Sequence, residues 1–132
     1  MTGETGRSLD IWRLRIERQR RESVVVLTLK GRIGVASARA LHEALHAEIE
    51  QGHACVVVDL TLVDYISSPG LLALDGAGRR LTASQGCLVV CGMVDAVRIA
   101  FDLAALAWPF RIEQDRSAAI RAASTRPVYA DG

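Results

Sequence analysis

The residues best placed to do chemistry are Ser67-Ser68-Pro69-Gly70, between a strand-like run ending in Asp64-Tyr65-Ile66 and a helical pattern that begins at Leu71. Proline favours the first helical position, where its missing N–H would be unpaired anyway. The spacing therefore predicts Ser68 as the N-cap, its hydroxyl facing the orphan N–H groups and the positive end of the helix dipole. A hydroxyl exposed at such a place is ready for phosphate, which a helix N-terminus holds well.

Other chemistries fit less well. A hydrolase nucleophile would need the Gly-x-Ser-x-Gly frame, which this turn lacks, and no histidine is placed by sequence to serve Ser68. A nucleotide-binding enzyme would carry Gly-x-Gly-x-x-Gly or Gly-x-x-x-x-Gly-Lys after a strand, and neither occurs. What remains on chemistry alone is a serine that caps its helix and does nothing else. His42 and His46 stand four apart on a predicted helix, but no third metal ligand is obvious. Cys87 and Cys91 bracket one strand run, roughly 13 Å apart and too far for a disulfide. With Cys55 they read as small core hydrophobes in a reducing compartment, and no metal site is expected.

The elements that must position the serine turn follow from periodicity. Ile11 to Glu17 alternates apolar and charged residues as a half-exposed strand, with Trp12, Leu14 and Ile16 on one face. Arg18, Arg20 and Arg21 then form a basic turn, either a solvated hairpin or a phosphate- or partner-binding patch. Val24-Val25-Val26-Leu27 is too dense for a one-sided strand and belongs at the centre of a sheet. Ser37 is expected to cap a helix to about Gln51, burying Leu41, Ala44, Leu45 and Ile49, with Gly52 ending it. Cys55 to Leu60 is a strand. Pro69 to about Ser84 is a helix with Leu71, Leu74, Gly78 and Leu81 on one seam, and Leu72 lies off that seam as an apolar contact for a partner or half-buried under a loop. Cys87 to Cys91 is a strand, and Met93 to about Leu106 a helix offering Val94, Val97, Ile99, Phe101 and Leu103 to the core. A short strand starts at Pro109, and Asp115 or Ser117 caps a last helix ending near Ala123. Strands alternating with helices in this way predict an α/β fold: a mostly parallel mixed sheet with an N-terminal β-hairpin and about four helices.

The chain of 132 residues with a formal charge of +1 is sized for one domain. We expect residues 11–123 to form it, with tails at 1–10 and 124–132. So small a charge argues against a nucleic-acid binder that depends on a positive field. No stretch approaches a membrane span and no signal segment opens the chain, so the expected location is cytoplasmic.

Val58-Asp59-Leu60 followed by Tyr65-Ile66-Ser67-Ser68-Pro69-Gly70-Leu71 resembles the signature of STAS domains, in particular bacterial anti-sigma factor antagonists. Leu29-Lys30-Gly31-Arg32-Ile33, Val89-Val90-Cys91-Gly92, Ile99-Ala100-Phe101-Asp102-Leu103 and Phe110-Arg111-Ile112 resemble further segments of that family in the same order, covering about Ile11 to Ala123. The resemblance implies a STAS-like fold and no enzymatic activity or cofactor. It implies phosphorylation at Ser68 and a partner-binding surface of Gly34, Ser37, Ser67, Ser68, Pro69, Gly70 and Leu72. The implied partners are an anti-sigma factor with serine kinase activity and a separate serine phosphatase. An accessory subunit of a lipid-transport ABC complex is the alternative on the same fold. Two positions depart from the family pattern: Ser67 and Gly34 stand where many antagonists carry aspartate.

Overall fold

A computed structural model describes residues 14–21, 23–104 and 106–124. Five strands and four helices alternate in the order β1 (Arg15–Arg21), β2 (Val24–Ile33), α1 (Val35–Glu50), β3 (Cys55–Ile66), α2 (Ser68–Ala83), β4 (Cys87–Cys91), α3 (Asp95–Ala104), β5 (Arg111–Glu113) and α4 (Arg116–Ser124). The sheet runs β1-β2-β3-β4-β5 in space. Its first pair is antiparallel and the other three are parallel. This is the expected α/β architecture.

Alternation along the central strands divides the apolar residues between two faces. Val25, Leu27, Val56, Val58, Leu88 and Val90 face Leu41 and Leu45 of α1, Leu71, Leu74 and Leu81 of α2, and Val97 and Phe101 of α3. Val24, Val26, Val57 and Val89 face Ala119 and Ala123 of α4. Both faces are covered, which explains why these strands read as unbroken apolar runs.

Four expectations are corrected. The first strand runs past its expected end at Glu17: residues 11–13, including Trp12, lie outside the described residues, and Arg18, Arg20 and Arg21 belong to β1, not to a turn. Their pairing with Leu27, Val25 and Val24 fixes them along a charged sheet edge, a pattern that discourages edge-to-edge association. Arg18 is moreover committed, donating to the buried Glu48 carboxylate of α1 at 2.6 Å and 3.2 Å. Second, β3 continues past Leu60 to Ile66, because β2 also runs on and pairs with it across two irregularities, between Thr28 and Lys30 and between Gly31 and Arg32. Third, of the apolar residues expected to reach the core from this segment, only Val97 and Phe101 are buried. They are four apart on one helix face, which turns Ile99 (55% exposed) and Leu103 (80%) outward, with Val94 at the helix entrance also exposed. Fourth, the last strand starts at Arg111, because Phe110 packs instead against Phe101 and Trp108, with ring centroids 6.3 Å and 5.5 Å away.

The α4 face carries a buried charge. Asp59 accepts from the Thr61 N–H at 3.0 Å and the Thr61 hydroxyl at 2.6 Å, and pairs with Arg116 Nε of α4 at 3.1 Å. Arg116 also donates to the Thr28 hydroxyl and, at 3.4 Å, to Gln19. Burial pushes the Asp59 carboxyl upward, but the Thr61 donors and the Arg116 guanidinium outweigh it and hold the group below the usual carboxylate range. A carboxyl depressed by folding stabilises the protein above its unfolded value near pH ~4 and loses that contribution as pH falls through its folded value. We expect Asp59→Asn to cost about 1.5–3 kcal/mol at neutral pH, the worth of hydrogen bonds to a charged group. Thermal melts from pH 7 downward should show the gap between wild type and variant closing only below about pH 4.

The candidate site where two helix N-termini meet

Two strand-to-helix junctions lie side by side at the carboxyl edge of the parallel sheet. Ile33 and Ile66 are register partners at the ends of β2 and β3. One residue beyond them stand Gly34 and Ser67, the N-caps of α1 and α2. The Ser67 N–H donates to the Ile33 carbonyl at 2.7 Å, tying the junctions together.

At the second junction the roles of the serines differ from expectation. Ser67, not Ser68, is the N-cap: it is buried and extended, and its hydroxyl accepts from the Gly70 N–H at 3.3 Å. Ser68 is the first helical residue and Pro69 the second. The sequence rule allowed this, because proline is tolerated throughout the first turn, where no N–H has an intrahelical partner. The consequence is a division of labour. Ser67 is occupied in holding the helix start, while Ser68 is exposed and its hydroxyl makes no hydrogen bond among the described residues.

The first junction shows the same displacement. The expected cap Ser37 is the third residue of α1, and Gly34 caps the helix. The Ser37 hydroxyl accepts from the Gly34 N–H at 2.8 Å and donates to the Arg32 carbonyl at 3.0 Å, two bonds that fix the chain where it leaves β2. Neither helix has an acidic residue in its first turn. Two positive helix ends therefore converge without a carboxylate to offset them.

Gly70 sets how closely α2 approaches the sheet. A Cβ there would lie 2.6 Å from Ile33 Cγ2 and 2.9 Å from Ile66 Cγ1, inside contact distance of branched core side chains. Leu72, one turn into α2, is 60% exposed. With Val35 of α1 (74% exposed), Pro69, Ala73, Arg39 and His42 it lines an open groove of about 400 Å³ between the two helices. A second groove of about 500 Å³, lined by Leu14, Arg32, Gly34, Val35, Ser37 and Ala40, adjoins it through Val35. All seven sequence-derived surface residues thus lie at or beside one edge, although Gly70 and Ser67 are buried within it.

Sequence reasoning missed Val35 and the stacking of Arg32 over Tyr65, with the guanidinium 4.5 Å from the ring centroid. Val35 carried a signal, as an apolar residue immediately after a turn glycine. The arginine–tyrosine contact depends on the extended β2–β3 pairing and had none. His42 and His46 stack at 5.5 Å, and His46 meets Arg80 and Glu50. Among the described residues no three His, Cys, Asp or Glu side chains are grouped to hold a metal.

Two substitutions test this geometry by thermal or denaturant unfolding. Ser67→Ala should cost about 1 kcal/mol through loss of the cap, whereas Ser68→Ala should stay within about 0.5 kcal/mol of wild type. Gly70→Ala would gain up to about 1 kcal/mol of helix propensity but lose about 1–3 kcal/mol to overpacking. The overlap with Ile33 decides the balance, and we expect net destabilisation.

The chain's relatives agree with this architecture. The family model for the STAS domain matches residues 15–119. BtrV of Bordetella bronchiseptica, a candidate anti-sigma factor antagonist, is 33% identical over 104 residues, 79% of this chain and 90% of BtrV. The crystal structure of an anti-sigma factor antagonist from Mycobacterium paratuberculosis superimposes with a TM-score of 0.77 at 23% identity, covering 84% of this chain and 94% of that one. The phosphorylated form of the Bacillus cell fate determinant SpoIIAA gives 0.63 at 18% identity, covering 81% and 98%. At these identities the two structures speak to the fold, and the family model with the BtrV match carries the kinship: the chain belongs to the STAS domain family.

Proposed function

We propose that this protein is an anti-sigma factor antagonist of a partner-switching pathway and that Ser68 is its switch. In this reading the unmodified chain binds an anti-sigma factor with serine kinase activity through the edge formed by the N-termini of α1 and α2. The sigma factor held by that partner is thereby released. Phosphorylation of Ser68 breaks the complex, and a separate serine phosphatase restores it. The functional module is residues 11–123, working in the cytoplasm, with no catalytic activity of its own.

The observation that carries the reading is the pairing of an exposed, unbonded Ser68 with a buried, bonded Ser67 at the same helix start. A kinase needs a hydroxyl it can reach without dismantling the helix, and only the first of these offers one. Apolar Leu72 and Val35 flank it, a surface suited to burial against a partner. Phosphate adds roughly −1.5 to −2 charges. The carboxylate-free helix ends tolerate that charge in the isolated protein, while a desolvated interface does not. Folding is therefore preserved and binding is lost.

The cognate kinase with ATP should add one phosphate, read by intact mass and peptide mapping. Ser68→Ala should abolish the addition, and Ser67→Ala should keep at least part of it. Phosphate mapped to Ser67 or Ser124 would contradict the assignment. A second expectation concerns the flank. Leu72→Ala should leave stability within about 0.5 kcal/mol, since the side chain is largely exposed. Affinity for the unphosphorylated complex should nevertheless fall about tenfold or more, a loss of at least ~1.4 kcal/mol measurable by titration calorimetry.

A further inference from the structure

At the opposite, amino edge of the sheet the parallel register sets two cysteines against each other. Cys55, the first residue of β3, is the partner of Cys87, the first residue of β4. Both side chains lie on the α4 face, where Cys55 is buried and Cys87 is partly exposed. The Cys87 N–H donates to the Ala54 carbonyl at 2.7 Å, which holds the two strand starts together. Neighbouring strands run about 4.8 Å apart. That falls within the Cα separation of roughly 4.4–6.8 Å across which a disulfide closes. The two residues are 32 apart in sequence, so only the strand register reveals the pair.

We propose that Cys55 and Cys87 are a reversible redox site, oxidised to an intramolecular disulfide by a low-molecular-weight disulfide. Cys87, the more accessible, loses its proton, and its thiolate attacks one sulfur of the small disulfide. The small S–S bond breaks, a mixed disulfide forms on Cys87, and one small thiol leaves after taking up a proton. The Cys55 thiolate then attacks the Cys87 sulfur from the neighbouring strand, closing the Cys55–Cys87 bond and releasing the second small thiol. Two protein thiols have been oxidised and one small disulfide reduced to two thiols, so electrons and protons balance. Direct partners on adjacent strands hold their Cβ atoms near the strand spacing, wider than the ~3.8 Å of a relaxed bridge. Cys87 stays partly exposed, so the bond remains open to attack by small thiols and can be reversed.

Cys91 provides an internal control. It lies on the same face four residues along β4, roughly 13 Å from Cys87 and beyond bridging distance. Burial, followed by the Asp59 carboxylate, pushes its thiol up to about 12, so it is seldom a thiolate at neutral pH.

The test incubates the reduced full chain with glutathione disulfide, alkylates the remaining thiols with iodoacetamide under denaturing conditions, and maps the peptides. Trypsin separates Cys55 from Cys87 at Arg79 and Arg80, and fragmentation distinguishes Cys87 from Cys91. We expect Cys55 joined to Cys87, an intact mass lower by two hydrogens before alkylation, Cys91 alkylated, and all three cysteines recovered with dithiothreitol. Cys55→Ala should stop at the first step with glutathione retained on Cys87. Wild-type protein that keeps all three thiols, that stops with glutathione on Cys87, or that links two chains would overturn the proposal. The wild-type map decides the matter even if the alanine variant folds poorly.

Discussion

The contact on which the site depends is the 2.7 Å hydrogen bond from the Ser67 N–H to the Ile33 carbonyl. It extends the β2–β3 ladder one step beyond the last paired residues, so that both strands end level and both helices begin there. Gly70 completes the arrangement by letting the first turn of α2 rest on Ile33 and Ile66 without a Cβ between them. With the backbone fixed on the inside, the side chains of the first turn divide: Ser67 turns inward to cap, and Ser68 is left facing solvent. The exposed Ser68 hydroxyl is thus a consequence of close packing behind it.

Much of this was legible in the sequence, because it rests on local rules. The dense valine runs announced central strands, and the Ser-Ser-Pro-Gly turn announced a helix start with a hydroxyl beside it. The seam Leu71, Leu74, Gly78 and Leu81 is buried as its spacing required. What local rules left open was the phase of each junction by one to three residues. Proline at the second helical position instead of the first moved the cap from Ser68 to Ser67. A glycine cap, which has no side chain to announce itself, moved the start of α1 from Ser37 to Gly34. The outward turn of Ile99 and Leu103 was open to the same helical periodicity that buried Val97 and Phe101, and an all-apolar reading of that segment overlooked it.

The long-range features had no sequence signal at all. Asp59 and Arg116 are separated by 57 residues and meet only once α4 has docked. The side chains α4 buries in full are alanines, Ala119 and Ala123, each carrying little more than a methyl group's worth of transfer energy, about 0.8 kcal/mol. Hydrogen bonds to a charged group are worth roughly 1.5–3 kcal/mol. Ile120 and Ala122 add partly buried contacts, and the Asp59–Arg116 pair fixes where this small apolar face sits on the sheet. The other three helices bury leucine, valine and phenylalanine against the sheet, and α1 adds the pair of its buried Glu48 with Arg18 of β1. The depressed Asp59 carboxyl thus puts an acid-sensitive contact on the α4 face, away from the edge that carries Ser68.

Charge at Ser68, in the proposed switch, separates the protein from its partner without unfolding it. Titration calorimetry of the anti-sigma factor against wild type and Ser68→Asp tests it most directly. A carboxylate in the first turn of α2 interacts favourably with the helix dipole, by about 0.3–1 kcal/mol, so the variant should melt no lower than wild type. Its affinity should fall at least a hundredfold, a loss of about 2.8 kcal/mol or more. Unchanged affinity in a folded variant would place Ser68 outside the interface and rule out the proposed switch.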